Sequence, residues 1–318
     1  MTLTWRITSL LLAASAITML AACKENRLLP TSGGTPYDVL VVDDREGYVA
    51  EFLQVDAPGL PQGEPSFNVM TVGKKRLNSM LMLSRSIVTL DIDPKRHCRP
   101  TVRYSKNVYA EPQMTVRIDA PSMTALRRSD CMTTVARLLT RHEMNAAIAR
   151  LQHKHNPKAE EEIRKMFGCT MKIPADMKAN IIGKDFIWLS DNSAMGMKSI
   201  CIYASENRDS VMKANIKGET DDMYMATTPH STITTHAREH GMAMTVRRGL
   251  WEMRGDAMGG PYVSHAVKNP VNGRTVVAEA FVYAPETRKR NRLRQTEAAL
   301  YTLRFESLRQ DSGRQRGN

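Results

Sequence analysis

The densest run of chemistry-bearing residues is RGLWEMRGDAMGGPYVSH, Arg248 to His265. It gathers Glu252, Asp256 and His265 around Gly255, Gly259 and Gly260, and these three are the candidate catalytic residues. A carboxylate and an imidazole can divide general acid and base work, while glycines admit close approach of a backbone. The same string also reads as a hairpin: two alternating strands joined by a Gly/Asp loop, with Pro261 opening the second. Trp251 and Glu252 are neighbours, so on a strand they face opposite sides and only one side is core.

THAREH sets His236 and His240 four residues apart. On a helix they would share a face and, with a third ligand such as His230, could hold a metal. The spacing is not H-E-x-x-H, because Glu239 precedes His240, and RHEMNA has Ala146 where a second ligand after His142 would stand. A metalloprotease is disfavoured, the plain reading of these histidines is a polar surface loop, and no metal or other cofactor is expected. The chain has no G-x-S-x-G, no G-x-x-x-x-G-K-[ST] and no G-x-G-x-x-G. The paired carboxylates of a glycosidase have no fixed spacing in a chain, so that chemistry stays open.

Cys23 carries a different chemistry. Arg6 is followed by an uncharged run, Ile7 to Ala22, and then by the thiol in ITMLAACKEN. That is the layout of a secretory signal peptide, and Leu20-Ala21-Ala22-Cys23 resembles the bacterial lipobox, whose cysteine is acylated before cleavage. Several acyl chains on one cysteine anchor firmly, at about 0.8 kcal/mol for each buried CH₂. Cys23 is therefore the expected lipid attachment and membrane contact. Lys24 after it, in place of Asp, favours the outer membrane, with periplasmic-facing and surface-exposed orientations both open.

The formal charge is +12, and Arg288 to Asn318 alone holds nine cations and three acids. For an exported protein such a balance points to an anionic envelope component as partner and not to nucleic acid; a solvated basic helix face with a frayed tail accounts for it equally simply. Cys98, Cys131, Cys169 and Cys201 form an even set in an oxidising compartment, compatible with no bridge, one or two. The oligomeric state is not legible.

The elements that must position these residues read as an α+β fold: mostly antiparallel sheet packed with helices. Strands are expected at YDVLVV, Phe67–Val72, Ser86–Ile92, Val102–Tyr104, Gln113–Asp119, CTMKI, DFIWLS, SICIYAS, MTVRRGLWEMR, PYVSHAV and RTVVAEAFVYA. APGLPQGEPS must be a loop. Met123 to Phe167 is the longest helical stretch; its apolar set Val135, Leu138, Leu139 points away from Met144, Ala147, Ile148, Leu151, so it is buried on two sides or broken near Arg141. A closing helix follows Pro285, with Leu293, Leu300 and Leu303 as its stripe and Lys289 and Arg292 snorkelling outward. MTVRIDAPSMTALRR and VVAEAFVYAPETRKR both run a strand through Ala-Pro into a helix, which suggests two duplicated α+β units, although Pro at the first helical position explains the echo alone. The expected organisation is a cleaved signal peptide (1–22), anchor and tether (23–36), a first unit (37–167), a second (168–305) and a basic tail (306–318).

LPTSGGTPYDVLVV, PGLPQGEPSF, GKDFIW, RDSVMKANIKG, the 248–265 string, FVYAPETRKRN and EAALYTL together resemble an uncharacterised, domain-of-unknown-function family of Bacteroidetes lipoproteins. The resemblance runs from Leu29 to Leu303, departing at Tyr262, where Phe is expected, and in the Arg-rich tail after Phe305. It implies the anchor at Cys23 and no catalytic residue. The leading expectation is a membrane-anchored envelope lipoprotein acting as a non-enzymatic binding or structural component. The alternatives are a hydrolase or transferase of an envelope polymer using Glu252, Asp256 and His265, and a metal or small-ligand carrier using His236 and His240.

Overall fold

The structure, a computed structural model, describes residues 28–239 and 241–305. Cys23, His240 and the 306–318 tail lie outside the described residues. The described residues form six α-helices and fifteen strands in an α+β fold.

The first unit contains β1 (Asp38–Val42), α1 (Tyr48–Leu53), β2 (Asn68–Val72), β3 (Ser86–Ile92), β4 (Thr101–Lys106), β5 (Met114–Ala120), α2 (Met123–Arg127) and α3 (Cys131–Leu151). Its sheet runs β2-β1-β3-β5-β4, and every pair except β4–β5 is parallel. The near-continuous apolar run of β1 follows from this, because a parallel strand is buried on both faces. On one face Val39, Val41, Val88, Val116 and Ile118 meet Val49 and Leu53 of α1, Leu126 of α2, and Val135 and Leu139 of α3. On the other, Leu40, Val42 and Ile87 are covered by Leu77 and Leu81 from the loop between β2 and β3.

The second unit begins at α4 (Pro157–Phe167), with Asn156 accepting the Ala159 N–H and Pro157 at the first turn. Then follow β6 (Cys169–Thr170), β7 (Ala179–Gly183), β8 (Phe186–Ser190), β9 (Met197–Tyr203), α5 (Arg208–Asn215), β10 (Tyr224–Thr227), β11 (Ile233–Glu239), β12 (Met242–Arg254), β13 (Gly259–Lys268), β14 (Thr275–Tyr283), α6 (Arg290–Leu300) and β15 (Arg304–Phe305). Eight of these strands make one antiparallel sheet, β10-β12-β13-β14-β9-β8-β7, with β11 also on β12. One face packs on α4 and α6; the other carries Trp251, Tyr262, Tyr203 and Phe281 with Met212 of α5. Both Ala-Pro segments lead from a strand towards a helix, but the two sheets differ in strand direction.

Ala159, Ile163 and Phe167 lie in the core of the larger sheet. Packing thus draws the line between units before Pro157, where the sequence had suggested Phe167. The α3 helix is unbroken, and of its two burials Val135 and Leu139 of the first set enter the core of the smaller sheet while Met144 and Ala147 meet Ala298 of α6. The α6 helix starts at Arg290, five residues after Pro285, because Glu64 of the first unit accepts the N–H groups of Lys289 (2.7 Å) and Arg290 (3.1 Å). A carboxylate satisfies two orphan donors there and faces the positive end of the helix dipole. Lys289 does not snorkel out; it is buried, and its Nζ donates to the Thr287 carbonyl.

Candidate functional site

The 248–265 string is a hairpin of β12 and β13. Glu252 lies near its tip, opposite Gly259, and pairs with Arg254 at 3.0 Å on the same strand face. Asp256 is exposed in the turn, where its Oδ1 accepts the Ala257 N–H. His265 stands opposite Val246, six residues down β12 from Glu252. At about 3.3 Å per residue that separates it from Glu252 by roughly 20 Å. The three candidates therefore do not converge.

The glycines of the tip serve the chain itself. A Cβ on Gly260 would fall on the Val282 carbonyl oxygen and within 3.2 Å of Trp251 Nε1, which donates to that carbonyl. Trp251 is buried edge-on to Phe281, with ring centres 5.4 Å apart. Its face is core, as alternation requires, and Glu252 takes the other. The Tyr262 hydroxyl lies 2.9 Å from Thr232 Oγ1, and its ring lies under the Arg208 guanidinium at 4.1 Å, which gives the phenol a use that phenylalanine would lack. Arg208 in turn forms a buried pair with Glu279 at 2.8 Å.

His265 belongs to a sealed cluster. Its ring packs edge-on against Tyr301 at 4.6 Å, and Nε2 lies 3.5 Å from the Glu297 carboxylate, both side chains being 1% exposed. Neither ring nitrogen has a hydrogen-bond partner among the described residues. Arg248 grips Glu297 through both Nη atoms, one at 3.1 Å. Burial pushes the Glu297 carboxyl up, but Arg248 and His265 outweigh it and hold the group well below the usual carboxylate range. An acid–base pair is present, yet substrate has no access to it unless α6 moves. The same seam continues through Tyr37, whose hydroxyl is pushed up to about 12 by burial, and Arg294, which sits 4.4 Å over that ring and donates to the Ser66 carbonyl. These contacts fasten the two units together. Glu297 was legible in one respect only: it is a charge at a buried-stripe position between Leu293 and Leu300.

His236 lies on an edge strand, β11, and not on a helix. It is exposed, with Nδ1 3.4 Å from Thr245 Oγ1. His240 lies outside the described residues, so the structure does not place the pair.

Sequence reading missed Asp91, His97 and Asp119, whose ligand atoms lie within 4.8 Å of one another. Their types suit a divalent cation, but each carboxylate oxygen already carries a guanidinium: Arg96 (2.8 Å) and Arg117 (2.7 Å) on Asp91, and Arg117 (2.6 Å) and Arg103 on Asp119. Despite burial, which pushes the other way, the arginines hold the Asp119 carboxyl low. This is an ion-pair network tying β3, β4 and β5. Cys98, Cys131 and Cys201 are free thiols, and burial raises the Cys201 thiol well above its ordinary range.

Residues 32–152 match a domain of unknown function, DUF8532, and residues 156–302 match another, DUF4837. Both matches are to domains of unknown function. The junction between the two matches coincides with the packing boundary before Pro157. A crystal structure from Bacteroides thetaiotaomicron VPI-5482 aligns at 15% identity over 44% of this chain and 46% of that one, with a TM-score of 0.26. The chain thus spans less than half of that protein, and the superposition is too slight to bear on function. No curated protein matches the chain.

Proposed function

We propose that this chain is an envelope lipoprotein, tethered to the outer membrane through acylated Cys23, that binds or positions another envelope component without catalysing a reaction. Lipobox-like LAAC supports the tether. The observation that carries binding over catalysis is the dispersal of Glu252, Asp256 and His265: one is ion-paired, one turns a loop, and one is sealed under α6. A hydrolase or transferase needs such groups within reach of one substrate atom. Residues 30–33 are held at the amino end of the smaller sheet, where the Glu111 N–H donates to Pro30 and the Gly33 N–H to Leu83. A chain leaving Cys23 would enter the body at that edge.

Cys23→Ser tests the tether. The variant should move from the membrane fraction to the soluble fraction and lose metabolic fatty-acid label. Unchanged partitioning and label would refute the anchor.

A further inference from the structure

The carboxyl end of the smaller sheet, opposite the edge where residues 30–33 are held, carries a concave cation site. Adjacent parallel strands β1 and β2 send their following loops to opposite faces: residues after β1 lead into α1, which packs with Val39 and Val41, whereas residues after β2 lead to Leu77 and Leu81 over Leu40 and Val42. Loops that part in this way leave a crevice beyond the strand ends, the usual ligand position in parallel sheets. Here the crevice is a cavity of about 610 Å³ lined by Asp43, Arg45, Thr71, Lys74, Lys75 and Arg76.

Its charge is unbalanced. Among the described residues none of Arg45, Lys74, Lys75 or Arg76 forms an ion pair, and all four are exposed. Nearby acids are committed elsewhere: Asp44 accepts the Ala50 N–H at 2.9 Å, and Glu46 pairs with Arg127 at 3.1 Å. Asp43 accepts the Lys74 N–H at 3.3 Å, and its own N–H donates to Val72 at 2.9 Å, so the one carboxylate in the cavity braces the two loops against each other.

We infer that this cavity binds a phosphoryl-bearing anion. Four cations around a crevice of this volume suit a group with adjacent phosphoryls, with the Thr71 hydroxyl as a further donor. The five residues of β1 span about 16 Å, which places the cavity on the far side of the sheet from the tether edge. We assign the anion as a soluble phosphoryl compound, and the flotation experiment below distinguishes it from a lipid headgroup of the same chemistry. This assignment rests on the non-enzymatic reading above.

The test uses the full chain, inorganic pyrophosphate as probe, and titration calorimetry at two salt concentrations. The parent should bind, more weakly at high salt, and the triple variant Lys74→Ala/Lys75→Ala/Arg76→Ala should bind at least about tenfold more weakly. Its thermal melt should match the parent; if it does not, the single variant Lys75→Glu provides the comparison. No binding by the parent, or equal affinity in a folded variant, would overturn the site and leave the tethered-binder reading standing. Release of orthophosphate would overturn the non-enzymatic reading while leaving the site. Flotation with phosphatidylglycerol vesicles distinguishes the source: the Cys23→Ser chain should not co-float, and co-flotation abolished by the triple variant would overturn the soluble assignment.

Discussion

Glu297 shows how a residue that looks catalytic by type can be structural by position. It is fully buried, held by Arg248, and faced by His265, whose ring nitrogens have no hydrogen-bond partner among the described residues. Removing one charge from such a pair leaves the other uncompensated, which costs about 3–5 kcal/mol. Glu297→Gln should lower stability by about that amount in urea melts, whereas a loss within about 0.5 kcal/mol would place the pair in effective contact with water. The same carboxylate sets an acid limit. Its folded pKa is depressed, so its contribution is complete above the unfolded value near 4.5 and disappears as pH falls below it. His142 acts in a higher window. Burial, then Arg85 and Lys106, lower its imidazole to about 4, while the unfolded chain takes up a proton near pH 6.5. Stability should therefore fall by about 2 kcal/mol, after solvent screening, between pH 6.5 and 4. His142→Gln should flatten that part of the profile; an unchanged slope would assign it to another group.

At the scale of elements, α6 is the piece on which most of the second unit depends. Leu293 and Leu300 enter the core of the larger sheet, and Leu303 follows just past the helix end. Leu300→Asp should destabilise by several kcal/mol through lost packing and a buried charge, read as a lower melting temperature. A melt equal to the parent's would remove α6 from the core. That stripe was legible because its period is helical, as were the opposed faces of α3 and the 248–265 hairpin, where alternation and a Gly/Asp loop carry the signal. The parallel order of β1, β2, β3 and β5 was not legible, since a run such as VLVV records burial without naming a partner or a direction. Nor was β11: its side chains are exposed on both faces, so THAREH has no apolar alternation to read. The polar clusters were the least legible part. Arg248 and Glu297 are 49 residues apart and Arg117 and Asp91 are 26 apart, and no local pattern links such pairs.

The described residues form two large sheets of different construction, besides the short β6–β15 pair, joined through α3 and α6, with Met144 and Ala147 against Ala298 and with Glu64 capping the second unit's last helix from the first. Glu64 and Arg294 serve that joint, and the sequence candidates for catalysis are spent on ion pairs, turns and packing. What the body would do follows from where it is held: residues 30–33 lie at one edge of the smaller sheet and the cationic cavity at the other. Among the described residues no helix is long and apolar enough to cross a membrane, and the attachment proposed above is through acylated Cys23. Intact-mass spectrometry of the protein isolated from envelopes of its own host tests that claim most directly. The account predicts a chain beginning at Cys23 and carrying the added mass of its acyl groups. A chain beginning at Met1, or cut elsewhere and unmodified, would contradict it.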